Sequence, residues 1–307
     1  MKLLTFLHRG RPRLGALWDG HVLDLPAAFR AHDTTRADAS PFPRDMQALL
    51  RLGGHGMAAA RAALSWWQGL SLSERERLGL ARPLETVRLL APVSPPKMMF
   101  LALNYRTHAA EMAMQPPPDP YVFLKPPSVA LAGPGETVRA PAGCTLFTYE
   151  AELAVVIGRP GRNIPLQRAY EHVAGYTACN DLTARDLQRA SPGGPGLDWF
   201  RGKSFDGAAP LGPWLVTPDE IPDPHALEVT FRLNGRTLQR GRTSELIFGI
   251  PELVAFASRT LTLEVGDVIS TGTPAGTNTP LNAGDKIEVE IERIGVLRNL
   301  VGEPVSP

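Results

Sequence analysis

The sequence predicts an α+β protein dominated by β-structure, and three observations carry that prediction. Beyond about residue 96 the chain passes through short runs rich in branched and aromatic residues, bounded by turn signals. The 30 prolines and 29 glycines among 307 residues are dispersed, which suits many short strands joined by tight turns. The run Leu153-Ala-Val-Val-Ile157 is apolar at every position, the pattern of a strand covered on both faces.

Residues 1 to about 90 read as a small α+β domain. Leu3 to Phe6, Arg13 to Trp18 and His21 to Leu25 are strand-like, with Asp19-Gly20 as a hairpin turn. Helices are expected over Arg44 to Arg51 and Met57 to Trp67, the second with one apolar face. Leu52-Gly-Gly-His-Gly56 reads as the linker between them, since no lysine and Ser/Thr follow to make a phosphate loop. Val87 to Leu90 is a further strand, and the proline-dense Ala91 to Pro96 marks the domain boundary, so that residues 91–307 form the larger domain.

In that larger part, strands are expected at Met98 to Leu103, Tyr121 to Lys125, Glu150 to Ile157, Val173 to Asn180, Ala226 to Leu233, Val268 to Thr271 and Lys286 to Ile291. Helices are expected at Leu166 to His172, Thr183 to Arg189 and Ile250 to Arg259. Asn234-Gly235 is a hairpin signal between Phe231-Arg-Leu and Thr237-Leu-Gln. No period of 20 to 50 residues recurs, which argues against a solenoid or propeller.

Thirty-two basic against 31 acidic side chains leave a net charge of +1, so neither a nucleic-acid nor a membrane partner is indicated. Two cysteines, Cys144 and Cys179, are too few for a disulfide framework and read as packing thiols. The first residues resemble a strand and turn rather than a signal peptide, and no apolar stretch reaches the ~20 residues that span a bilayer. A soluble, cytoplasmic protein is the expectation.

The chemistry concentrates around Thr148 to Ile157. Glu150 and Glu152 are two apart, so on a strand they share a face roughly 7 Å apart. Such a pair is often the solvated face of an edge strand; at the mouth of a dry strand it instead needs a compensating cation. Asp181 follows the strand Val173 to Asn180 and precedes a helix, where it suits either an N-cap or a metal ligand. Three carboxylates at strand ends suit Mg²⁺ or Mn²⁺, which take oxygen donors and leave positions for a chelating substrate. Zinc fits less well, because no His-x-x-x-His pair or cysteine cluster is present.

His108 and Glu111 stand three apart in Asn104-Tyr-Arg-Thr-His-Ala-Ala-Glu111 and share a face if the segment is helical. They are either an ordinary surface pair or a dyad in which the carboxylate raises the basicity of the imidazole. The proline-rich Gln115 to Pro120 after them suits a lid. Lys125 and Lys203 are either surface lysines or charge-balancing groups at a carboxylate site, and Arg185 and Gln188 lie on the helix after Asp181. Glycines flank Thr273, allowing close backbone approach to a ligand. Ser204 lacks a nucleophile-elbow pattern, and His172 and His225 read as structural.

Taken in order, Asn104-Tyr105 with His108 and Glu111, Phe123-Leu-Lys-Pro126, Glu150-x-Glu152, Asn180-Asp-Leu-Thr-Ala-Arg-Asp186, Lys203-Ser-Phe-Asp206 and Thr271-Gly-Thr-Pro-Ala-Gly276 resemble the fumarylacetoacetate hydrolase family, from about Pro96 to the C-terminus. The branch it is most similar to holds acylpyruvases, oxaloacetate decarboxylases and bacterial enzymes acting on fumarylpyruvate or 2-hydroxyhepta-2,4-dienedioate. The resemblance implies a mixed β-sandwich roll, commonly a homodimer, with a small N-terminal domain. It implies that Glu150, Glu152 and Asp181 bind magnesium or manganese, that His108 and Glu111 activate water on a lid, and that Lys203 stabilises charge. Lys125, Gln188 and Thr273 match positions lining the family's pocket, with Arg185 and Tyr105 as further substrate contacts. The implied reaction is hydrolysis of a 2,4-dioxo acid through an enolate, that of a small-molecule 2-oxo acid hydrolase. Decarboxylation and isomerisation share that intermediate and stand as alternatives; a non-catalytic binder on the same scaffold would not need His108 and Glu111. Met112 to Pro120 and Arg189 to Phe200 depart from the branch where substrate would be chosen.

Overall fold

The computed structural model describes residues 1–32, 42–189 and 196–306. Its frame is a twelve-stranded sheet. Ten strands run in the order Ala81–Pro83, His21–Asp24, Arg11–Trp18, Lys2–His8, Ala209–Val216, Val173–Asn180, Ala151–Ile157, Val268–Ser270, Met98–Ala102 and Tyr121–Lys125. Leu89–Leu90 and Leu131–Ala132 pair beside this path. A second sheet of five strands, in the order Arg236–Arg242, Glu228–Leu233, Lys286–Ile291, Gly295–Val301 and Thr137–Val138, covers one face. Most pairings are antiparallel, but Val268–Ser270 runs parallel to Met98–Ala102, so the sheet is mixed, as the family resemblance implied.

The apolar run at the centre is explained by its two coverings. Leu153, Val155 and Ile157 point into the core shared with Val229, Phe231, Ile287 and Val289 of the second sheet. Ala154 and Val156 point the other way, toward Leu49, Ala60, Ala63, Leu64 and Trp67 of the N-terminal helices. With side chains alternating between faces, such a strand has no solvated side and no position for a polar residue except at its ends.

The first 90 residues are continuous with the rest. Lys2 and Leu3 pair with Val216 and Leu215, and the helices Met46–Arg51 and Gly53–Gly69 bury their apolar faces on the central sheet. The expected boundary at Pro96 therefore divides sequence character but not the sheet or its core. The expected linker Leu52 to Gly56 is a correction: the second helix already begins at Gly53. Gly53, at φ +53°, makes the turn, and a Cβ on Gly56 would lie 2.5 Å from Leu49 O, so that glycine serves helix–helix approach.

Other expected elements hold with small changes. Asn234 and Gly235 both have positive φ, +51° and +82°, and join the paired strands as an Asn-Gly turn should. Leu166–His172 is a 3₁₀ helix rather than α, packed under the helix Ile250–Thr260. The helix expected from Thr183 starts at Arg185, because Thr183–Ala184 is a short strand paired with Phe147–Thr148. The helix Leu72–Leu78, closed by a Ser71/Glu74 capping box, was not anticipated. Among the described residues no helix is long and apolar enough to cross a membrane.

Candidate metal and catalytic site

Strand pairing builds the site. Ala151 lies opposite Asn180 and Glu152 opposite Cys179, so Glu150 meets Asp181 where the two strands end, with Asp181 N–H donating to Glu150 O at 2.9 Å. Glu150, Glu152 and Asp181 are buried, 7%, 0% and 1% exposed, and one carboxylate oxygen from each lies within 4.8 Å of the others. That burial rules out the solvated edge-strand explanation of the glutamate pair.

Cations and donors hold this cluster together. Lys203 Nζ donates to Glu150 Oε2 at 3.0 Å and Asp181 Oδ2 at 2.7 Å, and Arg185 donates to Glu150 Oε1 at 2.8 Å. Burial alone would raise Glu150, but Lys203 and then Arg185 outweigh it and hold its carboxyl down at about 2. For Lys203, burial pulls the ammonium down while Asp181 and Glu150 keep it above its usual range, so it stays charged. Glu152 is the reverse case: burial, then the charges of Asp181 and Glu150, push it well above the usual carboxylate range. Its Oε2 accepts from Ser270 Oγ at 2.6 Å and Gly272 N at 3.0 Å, while Oε1 is buried without a hydrogen-bond partner.

An orphaned carboxylate oxygen facing two other acid groups is a poor resting state and a good ligand set. All three donors are hard oxygens, and no nitrogen or sulfur ligand joins them among the described residues. The cluster therefore fits a divalent cation of the magnesium or manganese type.

The remaining expected residues divide clearly. His108 and Glu111 lie on the short helix Arg106–Glu111, with Nδ1 3.2 Å from Glu111 Oε2. Glu111 is held from behind by Gly276 N and Asn278 Nδ2, each at 3.1 Å to Oε1. His108, Arg185, Gln188, Lys203, Thr273 and Glu150 all line one cavity of about 640 Å³. Lys125 does not; it is fully buried behind Asp181, paired with Oδ1 and donating to Leu182 O and Ala208 O at 3.0 and 2.7 Å. Its amino group thus faces the cluster from the protein side and not from the cavity. Tyr105 is likewise buried outside the cavity lining and bridges to Leu246. Asp181 caps no helix, since its carboxylate is spent on the two lysines and the helix begins four residues later. Of the loop Ser191 to Leu197, residues 191–195 lie outside the described residues.

Sequence reasoning missed the supports. Gln239 Oε1 accepts from Ala151 N at 3.0 Å, and its Nε2 donates to Thr273 Oγ1 at 2.9 Å and Pro274 O at 2.8 Å. Thr273 in turn donates to Ala151 O at 2.9 Å. The peptide groups between the two glutamates are thus fixed on both sides. Asn104 donates to Thr271 O at 2.8 Å and ties the loop bearing Gly272 to Phe248. Gly272 sits at φ +91° with Asn104 Cβ 3.0 Å from where its own Cβ would be, so only glycine presents its N–H to Glu152 there.

A family model described as fumarylacetoacetate (FAA) hydrolase C-terminal matches residues 97–302. Oxaloacetate tautomerase YisK of Bacillus subtilis is 38% identical over 296 residues, 92% of this chain and 94% of that protein. Among solved structures, 5-carboxymethyl-2-hydroxymuconate delta-isomerase from Mycobacterium smegmatis superposes with a TM-score of 0.74 at 33% identity, over the whole of both chains. Maleylpyruvate hydrolase from Sphingobium sp. SYK-6, in complex with manganese(II) and pyruvate, superposes with a TM-score of 0.77 at 30% identity, covering 99% of this chain and all of its own.

Proposed function

Because the chain belongs to the fumarylacetoacetate hydrolase family, we propose that it is a divalent-cation-dependent enzyme that hydrolyses the carbon–carbon bond of 2,4-dioxo acids. The observation that carries this reading is that His108, paired with Glu111, a charged Lys203 and Glu150 of the three clustered carboxylates all line one cavity. Glu150, Glu152 and Asp181 would hold magnesium or manganese, which when bound supplies Lewis-acid polarisation of a substrate carbonyl.

The chain's own groups account for the proton traffic. With Nδ1 turned to Glu111, His108 presents Nε2 as the base that takes a proton from water, and the hydroxide adds to the C4 carbonyl. Breaking the C3–C4 bond leaves the electron pair on the three-carbon fragment as an enolate, whose charge Lys203 stabilises. Return of the proton from His108 to C3 gives pyruvate, and the acyl part leaves as a carboxylic acid. Arg185 and Gln188 orient the 2-oxo acid end.

A second reading is keto–enol tautomerisation of a 2-oxo dicarboxylic acid, with His108 acting on carbon instead of water. It is supported by the near full-length likeness to a protein named oxaloacetate tautomerase. Acetylpyruvate cleavage, followed as pyruvate release with Mg²⁺ or Mn²⁺ present, tests the first reading. Turnover should vanish in Glu152→Ala and on chelation. Cleavage that survives both would sink the cation-dependent mechanism, and conversion of enol-oxaloacetate to its keto form without pyruvate release would favour the second reading.

A further inference from the structure

The cavity is lined by two unlike sets of residues. Glu150 of the carboxylate cluster, His108, Arg185 and Lys203 form one, and Leu101, Met112, Met114, Tyr121, Phe123 and Trp199 the other. An aromatic path leads away from Lys203. Lys203 Nζ stands 5.4 Å from the centre of the Phe123 ring, Phe123 stacks on Trp199 at 4.6 Å, and Trp199 meets Tyr121 at 5.5 Å.

The basic groups are distributed to match. Arg185 is paired with Glu150, and Lys203 with Glu150 and Asp181; among the described lining residues the other basic side chains are His108 and Arg189, the latter exposed at the end of its helix. A second carboxylate on the substrate would therefore enter a wall of aromatic and thioether groups with poor compensation. A planar apolar group would instead stack on Trp199 and Phe123. At about 640 Å³ the cavity also lies in the range that encloses drug-sized ligands, roughly 300–1,000 Å³.

We propose that the substrate is a 2-oxo acid bearing an aryl or bulky alkyl group at its far end, seated on Trp199 and Phe123, and not a dicarboxylate. This rests on the 2-oxo acid reading of the cluster; it is compatible with cleavage or with tautomerisation of a monocarboxylic 2-oxo acid, and excludes a dicarboxylic one. Binding and turnover are therefore measured separately. In the presence of Mn²⁺, phenylpyruvate should bind at least about tenfold tighter than pyruvate or oxaloacetate, the scale on which added apolar groups discriminate ligands. Benzoylpyruvate should exceed acetylpyruvate and fumarylpyruvate in kcat/KM by a similar factor. Trp199→Ala should bring both ratios close to one, and the milder Trp199→Phe should retain most of them, which separates lost stacking from lost folding.

Equal or tighter binding of oxaloacetate than of phenylpyruvate would overturn the proposal, as would binding ratios that Trp199→Ala leaves intact. Loss of dicarboxylate binding in Arg189→Ala would also overturn it, by identifying the missing counter-charge. Should phenylpyruvate bind selectively while no dioxo acid is cleaved, the hydrolase reading fails and the apolar subsite stands.

Discussion

Replacing Lys203 by methionine should have opposite effects on cation binding and on catalysis. The Lys203 ammonium is shared between Glu150 Oε2 and Asp181 Oδ2 at 3.0 and 2.7 Å, with Lys203 itself only 2% exposed. Removing one partner of a buried ion pair costs about 3–5 kcal/mol when the other is left uncompensated; Glu150 keeps Arg185 and Asp181 keeps Lys125, so the lower end, about 3 kcal/mol, is expected. At the ~2 °C per kcal/mol fitting a chain of this size, the melting temperature without added cation should fall by about 6 °C. A divalent ion bound by the same carboxylates no longer has a cationic neighbour to repel it. Its affinity should rise by at least about tenfold, ~1.4 kcal/mol, so added Mg²⁺ or Mn²⁺ should raise the melting temperature further in Lys203→Met than in the parent protein. Turnover should nevertheless drop by about 10²–10³, the scale for losing one charge-stabilising donor. Thermal scans across a cation titration, with pyruvate release alongside, measure all three. An unchanged melting temperature without cation, or weaker cation binding in the variant, would refute the idea that Lys203 shares oxygens with a cation site.

Gln239→Leu should leave Ala151 N buried and unpaired, costing about 1–3 kcal/mol. By loosening the segment between the glutamates it should weaken cation affinity about 10–100-fold, as read by calorimetric titration. His108→Ala should slow hydrolysis by roughly 10²–10⁴ with cation affinity nearly intact, and unchanged turnover would remove the dyad from the mechanism. Glu150 is held below its usual 4.5, at about 2, so the stability it contributes is full above about 4.5 and is lost as pH falls toward 2. Glu152 is raised, so its contribution is present below 4.5 and is lost as pH rises through its folded value. Urea denaturation across pH, with and without Mg²⁺, should show the cation's stabilisation growing as pH rises. Cys144, pushed up to about 12 by burial and by Asp186, should resist thiol reagents at pH 8 until the chain unfolds.

Legibility in the sequence followed the range of the interaction. Glu150, Glu152 and Asp181 were readable because strand ends and a two-residue spacing are local facts, and a carboxylate pair at the head of an apolar run has few explanations. The Asn234-Gly235 turn is written the same way, in adjacent residues. Lys125 and Lys203 were not separable, because both follow short local signals and differ only in what lies beyond them. The strand Tyr121–Lys125 aims Lys125 at Leu182 O and Ala208 O from behind, whereas the helix Trp199–Lys203 brings Lys203 to the cavity. Gln239 carries no local mark at all: it lies 88 residues from the Ala151 amide it fixes, and only the packing of one sheet on the other brings them together.

The same consideration explains why a clear change in sequence character near Pro96 does not part the structure. Composition reports what each segment contains, while the hydrogen-bonding edge of Lys2–His8 reports what it lacks, a neighbouring strand, which Ala209–Val216 supplies two hundred residues later. That strand also pairs with Val173–Asn180, whose end carries Asp181. The N-terminal strands and helices thus back the sheet from which the carboxylate cluster projects. A substitution such as Leu215→Ala, at a fully buried position between the two parts, should cost about 2–5 kcal/mol and lower turnover chiefly by loosening the cluster. If that is the cause, saturating Mn²⁺ should restore a large share of the lost stability and rate, because a bound cation re-imposes the spacing of the carboxylates. A rate that stays low at saturating Mn²⁺ while stability recovers would mean the N-terminal layer acts on the cavity by some route other than the cluster.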